Sequence, residues 1–291
     1  MTAPAIPSSR SAEHDGVVRP LAVADLPALR HLLDADPVAH CFVAARLAEV
    51  ADSGHRLAAD FWVVERAGRC VSALHVGANV VPIATDDGAR RVLAERLRRT
   101  GRRGSSLVGP RDEVLDLWSR IDGAWGSARE VRSSQPLLVI DREPDVAPDP
   151  GVRPVRMQEL DLLVPACIAM FTEEVGISPI TGGAGAAYRA RISDLVREGR
   201  ALARIDNGRV VFKAEVGAAS ARACQIQGVW VAPEHRGQGM SAPGMAAVVE
   251  IARREVAPLV SLYVNDFNVR ARRCYEAVGF RGAGEFATVL L

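Results

Sequence analysis

The sequence predicts an α/β chain in which one domain plan is laid down twice, with a sheet flanked by helices in each copy. Three observations carry this reading. Short valine-rich runs alternate with stretches whose apolar residues recur at helical spacing. Several words of the first half return, in the same order, in the second half. The length of 291 residues, with 48% apolar and 24% charged residues, is that of a globular protein of two ordinary domains.

Residues 1–16 are rich in Ala, Pro and Ser and have no apolar signal core, which predicts a disordered tail. The first structured stretch begins at Val18-Arg19-Pro20, a strand followed by a helix with Leu26, Leu29, Leu32 and Leu33 on one face and Asp25 as its N-cap. Val152-Arg153-Pro154 opens the second half in the same way. Gly68-Arg69-Cys70-Val71 leading to Val76-Gly77-Ala78 reads as a hairpin. It returns as Gly208-Arg209-Val210-Val211 leading to Val216-Gly217-Ala218. Ser106-Leu107-Val108 with a helix reaching Trp118 is paralleled by Ser261-Leu262-Tyr263 with a helix reaching Tyr275. Between the halves, Asp141 to Gly151 carries three prolines and four acids, as a semi-rigid linker would. This sets the domains as 17–147 and 148–291. Gly182 to Gly185 is expected to be a flexible loop between a helix ending near Glu174 and another from about Ala187 to Glu198.

The net charge of +1 argues for neither nucleic acid nor a membrane as partner. The five cysteines, Cys41, Cys70, Cys167, Cys224 and Cys274, are scattered and form no C-x-x-C pair. They read as reduced thiols of a cytoplasmic protein. The six histidines are not at metal-ligand spacing, so no metal is expected. Of the 36 basic residues only Lys213 is a lysine, a skew of high-GC bacterial coding.

The second half holds the chemistry. Val229-Trp230-Val231 is a short strand, closed by Pro233. Arg236-Gly237-Gln238-Gly239 follows, and then a helical pattern through Met245, Val248, Val249 and Ala252. A strand that feeds a glycine turn into a helix points several backbone N–H groups one way, toward an anion. Further on, Asn268 to Phe280 reads as a helix capped by Asn268, with Gly279 just past its end.

The spacing of Arg236, Gly239 and Ser241 after a Val-x-Val strand resembles motif A of the GNAT acetyltransferase superfamily. Asn-Val-Arg-Ala-Arg-Arg-Cys-Tyr-Glu-Ala-Val-Gly-Phe, from Asn268, is similar to a second pattern of that family and stands at the expected distance. The resemblance covers residues 152–291 and makes the first half a degenerate copy, as in tandem GNAT proteins of high-GC bacteria. It implies a mixed, mostly antiparallel sheet whose two middle strands splay around acetyl-CoA, a cosubstrate. The pantetheine arm would lie along Val229, Trp230 and Val231, with the pyrophosphate on Gly237, Gln238, Gly239, Met240, Ser241 and Ala242, beside Arg236. Asn268 would touch the CoA arm, and Tyr275 would face the sulfur as catalytic acid.

A general base is not evident in the strand from Ala218 to Pro233, where Gln225 and Gln227 stand. Glu215 on the preceding strand is the nearest candidate, with Glu173 and Glu174 as alternatives. The first half offers Thr85-Asp86-Asp87-Gly88 in place of the phosphate turn and Trp118 in place of Tyr275, neither suited to the chemistry. Seven arginines from Arg90 to Arg103 read as a solvated helix face, with a surface for an acidic partner as the sharper alternative. The expectation is thus an N-acetyltransferase, an acyltransferase moving acetyl from acetyl-CoA to a primary amine of a small molecule or protein, as a monomer or homodimer. The alternative is a CoA-binding regulatory protein without turnover.

Overall fold

The computed structural model describes residues 15–51 and 54–291. The expected disordered tail therefore lies outside the described residues except for Asp15, which pairs with Arg91, and Gly16. The chain divides into two compact units, with breaks at Leu137/Leu138 and again at Ala283/Gly284. The last eight residues belong to the first unit.

In the first unit, strands β1 (Val17–Pro20), β2 (Phe61–Arg66), β3 (Arg69–Val76) and β4 (Asn79–Ile83) form an antiparallel meander. β4 then runs parallel to β5 (Ser106–Pro110) for two residue pairs, Asn79 with Ser106 and Val80 with Leu107. Helices α1 (Leu26–Ala35), α2 (Cys41–Val50) and α3 (Gly54–Asp60) fall between β1 and β2. α4 (Asp87–Thr100) makes the β4–β5 crossover, and α5 (Arg111–Trp125) follows β5. Next comes β6 (Glu130–Ile140), within which the chain enters the second unit. β12 (Arg281–Leu290) closes the first unit by pairing antiparallel with β5, from Phe286 opposite Pro110 to Leu290 opposite Ser106. It adds Ala287 and Val289, both fully buried, to a core built on Leu93, Leu97, Leu107, Val114 and Leu117.

The second unit repeats the plan. β7 (Arg153–Pro154), β8 (Ala201–Asp206), β9 (Arg209–Ala219) and β10 (Ala223–Val231) are antiparallel neighbours, and β10 runs parallel to β11 (Leu259–Tyr263). α6 (Leu160–Val175) and α7 (Gly185–Arg197) stand between β7 and β8, α8 (Ser241–Glu255) makes the crossover, and α9 (Val269–Val278) follows β11. α8 and α9 cover one face through Met245, Val248, Val249, Tyr275 and Val278. α6 and α7 supply Leu163, Cys167, Ile192 and Val196 to a separate cluster with Ala203 and Val210. The fold is thus a mixed, mostly antiparallel sheet with flanking helices, in two tandem copies.

Three local expectations differ in detail. Asp25 caps α1 by position only. Its carboxylate accepts from Ala22 N and from Arg19, because the arginine fork is the stronger partner. The Gly182–Gly185 stretch is a single 3-10 turn over Thr181–Gly183 that runs into α7 at Gly185. The acidic segment from Asp141 to Gly151 was expected to be the linker, with a border near residue 148, but lies inside the second unit. Its backbone is held there, with Asp145 N donating to Val278 O at 2.9 Å and Asp149 N to Pro243 O at 3.0 Å. Its acids pair with Arg281, Arg253 and Arg204. Backbone groups bonded on both sides give a proline-rich run a fixed path.

Candidate active site

The site begins where two strands part. β10 and β11 pair only at Ala223, Cys224 and Gln225, opposite Leu259, Val260 and Ser261. Beyond that point Gly228, Val229, Trp230 and Val231 are all partly exposed, whereas Ala223 to Ile226 are buried. β10 also bulges against β9 between Gln227 and Trp230, with Gly228 at φ 60°. Bulges re-aim a strand beside functional sites. Ala232 N donates to Val211 O at 2.9 Å on the β9 side. Backbone groups alternate in direction beyond the bulge, so Val231 turns its N–H and C=O away from β9, into the notch.

The turn into α8 closes the notch at one end. Gly237 and Gly239 have φ of 76° and 77°, and no neighbouring atom crowds either one. Their requirement is the left-handed backbone, which costs other residues about 1–2 kcal/mol. Met240 caps α8 by position with no side-chain hydrogen bond. The first intrahelical bond is Gly244 N to Met240 O at 3.1 Å, and Pro243 has no N–H to satisfy. Backbone N–H groups at this helix start therefore remain for a ligand. Gly244 lets the helix lie against Phe212. Its packing explains a residue that is otherwise poor in a helix.

Asn268 caps α9, its side chain accepting from Ala271 N at 3.2 Å. Tyr275 is buried at 7% exposure, with its ring edge-on to Phe280 at 5.8 Å. Burial first, then the charges of Cys274 and Glu174, push its phenol well above the usual tyrosine range. Cys274, midway along α9, lies beside Ser241 at the start of α8.

Two predicted residues are tied to partners. Arg236 donates from Nε to Val231 O at 2.9 Å and from Nη2 to Glu173 at 2.7 Å. Glu173 also accepts from Trp230 Nε1 at 3.2 Å. The arginine thus fastens the turn to β10 and α6. Glu215 is only 4% exposed and sits among four groups. Arg191 and Gln227 each donate to it at 2.9 Å, Lys213 is 3.4 Å away, and Lys213 also lies 3.5 Å from the Cys167 thiol. Burial favours the neutral acid, but the charges of Lys213 and Arg191, with the Gln227 bond, outweigh it and hold the carboxyl below its usual range. Lys213 is 1% exposed and is the chain's sole lysine. The sequence showed neither the Arg191–Glu215 bond nor the burial of Lys213. The one available signal was the spacing of Lys213 and Glu215, which puts both on one face of a strand.

In the first unit the same places are closed. β4 is buried from Val80 to Ile83. Asp86 caps α4, accepting from Ala89 N at 2.8 Å, and Arg66 grips its carboxylate at 2.5 and 2.6 Å. The helix start that would hold an anion already has one.

Residues 190–280 match the acetyltransferase (GNAT) family. This segment is a GNAT domain. Residues 59–163 match a family described as a domain of unknown function, DUF4081. The GNAT fold extends along nearly the whole chain. A GNAT-family acetyltransferase from Colwellia psychrerythraea is 10% identical with a TM-score of 0.55, covering 94% of this chain and 99% of that one. A GCN5-related N-acetyltransferase from Sphaerobacter thermophilus is 19% identical with a TM-score of 0.61 and 94% of each chain covered. A tandem GNAT protein from the clavulanic acid biosynthesis pathway is 16% identical with a TM-score of 0.50, covering 94% and 98%. No curated protein matches the chain. Among the described residues, no helix is long and apolar enough to cross a membrane.

Proposed function

We propose that the second unit binds acetyl-CoA in the notch between β10 and β11 and transfers its acetyl group directly to an amine. The observation that carries this is the parting of the strands after Gln225 and Ser261, next to a helix start with no side-chain cap. The pyrophosphate meets backbone N–H groups from Gly237 to Ala242, aided by the α8 dipole. The pantetheine arm pairs with Val229 and with the N–H of Val231, whose carbonyl Arg236 holds, on the strand that also carries Trp230, and Asn268 orients it from the opposite side.

In the reaction the neutral amine attacks the thioester carbonyl, and the developing oxyanion takes the Val229 N–H. The tetrahedral intermediate expels CoA thiolate, which the Tyr275 phenol protonates. Glu174, exposed on the last turn of α6, is the carboxylate whose charge reaches Tyr275, and it takes the amine's proton directly or through water. The engagement of Glu215 also favours a second reading, a CoA-binding regulator without turnover.

Calorimetry with acetyl-CoA is expected to find one site per chain, and at about 100 times its Kd the ligand adds roughly 2.7 kcal/mol of stability. Gly239→Asp places a carboxylate at the phosphate turn, so binding is lost while the fold is kept. Two equivalent sites, or unchanged affinity in that folded variant, would refute the assignment. Thiol release with amines separates enzyme from regulator.

A further inference from the structure

The cluster beneath the β10 bulge carries an unbalanced charge. Lys213 and Glu215 project from one face of β9, toward α6 and α7. Lys213 and Arg191 supply two positive charges against the one carboxylate of Glu215. The Cys167 thiol beside Lys213 supplies no counter-charge, since burial keeps it protonated. Other acids of α6 and α7 have their own cations: Asp161 with Arg189, Glu173 with Arg236, and Asp194 with Arg197. The charge of Glu174 is felt by Tyr275. β10 offers only the neutral Gln225 and Gln227.

The surplus charge has one outlet. Lys213 is sealed in, while the Arg191 side chain is 46% exposed. Its Nη2 is bound to Glu215, and no other acceptor among the described residues takes its Nε or Nη1. Glu215 thus holds a guanidinium in place and leaves donors of its fork free. Gln227, bonded to the same Glu215 oxygen, is exposed on the stretch of β10 that has left β11. Gly228, next along, lies so close to Lys213 Nζ and Glu215 that a Cβ there would stand 3.1 and 3.3 Å from them.

We infer that Arg191, fixed by Glu215, reads a carboxylate on the acceptor, so that the amine substrate is of the amino-acid class. The inference rests on the acetyl-transfer reading of the notch. A guanidinium fork matches a carboxylate with two parallel hydrogen bonds, and a pre-held arginine loses little side-chain freedom on binding. Arg191 binds and orients the acceptor.

The experiment follows thiol release from acetyl-CoA by the full chain with matched acceptors: amino acids, their α-amides, the decarboxylated amines and the corresponding phosphonates. Free amino acids are expected to be preferred over amides and amines by about tenfold to a hundredfold, the worth of a charge-assisted hydrogen bond. Arg191→Gln should remove that preference through the acceptor KM, leaving acetyl-CoA affinity unchanged, and Arg191→Lys should restore part of it. Melting curves of both variants show whether each is folded. Equal use of acids and amides, preference for phosphonates, or an equal loss on all acceptors in folded Arg191→Gln would overturn the inference while acetyl-CoA binding stands. Absence of acetyl-CoA binding would bring down both readings.

Discussion

Gly244→Ala adds one methyl group to α8, and the structure gives its consequence a sign. In an exposed helix the change stabilises by up to about 1 kcal/mol. Here the new Cβ would stand 2.8, 2.9 and 2.9 Å from three carbons of the Phe212 ring, whereas carbon contacts relax near 3.5–4.0 Å. Phe212 is fully buried and cannot swing away, so the first turn of α8 must lift from β9. Overpacking of this kind costs about 1–3 kcal/mol. The net effect is a loss of about 1 kcal/mol, or roughly 3 °C in the melting of the second unit. Because the lifted turn carries the N–H groups assigned to the pyrophosphate, acetyl-CoA affinity should fall as well. Calorimetric melting of Gly244→Ala, Phe212→Leu and the double variant tests this as a cycle. In the Leu background the alanine should become neutral or stabilising. If Gly244→Ala stabilises the parent by the full helix-propensity gain, the argument from the Phe212 contact fails.

Tyr275→Phe keeps the ring against Phe280 and removes the hydroxyl. Turnover measured by thiol release should drop about 10²–10⁴-fold with acetyl-CoA affinity nearly unchanged, and matching rates would make Tyr275 a packing residue. Since the phenol is held above its ordinary value of about 10, the parent rate should show no alkaline limb from this group between pH 7 and 9. Arg66 and, less strongly, the Ala89 N–H hold Asp86 near pKa 2 against the opposing effect of burial. Its stabilisation is complete above the unfolded value of about 4 and is lost as pH falls toward 2. Asp86→Ala should therefore cost about 1 kcal/mol at neutral pH, and its melting gap from the parent should narrow through that acid window; a gap constant from pH 6 to 2 would contradict the assignment. A chain ending at Ala283 loses the strand that pairs with β5, so the first unit should melt earlier while the second still binds acetyl-CoA; the reverse pattern would refute the strand assignment.

The sequence was most informative where function depends on backbone. The Arg236–Ser241 spacing, the Asn268 cap and the Gly279 stop are local, set by turn and helix-end chemistry within a few residues. The repeat of the two halves was legible because each strand and turn must satisfy the same geometry twice. Partner choice was not legible. Glu215 reads alone as a candidate base, but its state is decided by Arg191, 24 positions away, and by Gln227 on the next strand. Arg236 reads as a phosphate neighbour, but Glu173, 63 positions away, engages it. The final strand is assigned by sequence order to the second domain, yet pairs with β5. Such long-range pairings depend on how elements pack, which a single sequence records only indirectly.

The burial of Lys213 has a practical result. A 291-residue chain with one lysine, and that one sealed beneath a helix pair, offers no accessible lysine side chain among the described residues. Reactive thioesters acylate exposed amines without help, and an enzyme stored with acetyl-CoA would ordinarily mark itself. This one is built almost without such targets. Acetyl-lysine recovered after incubation with a candidate protein acceptor can then be assigned to that acceptor, and amine-directed cross-linkers and dyes are poor choices for this protein, where carboxyl-directed ones are not.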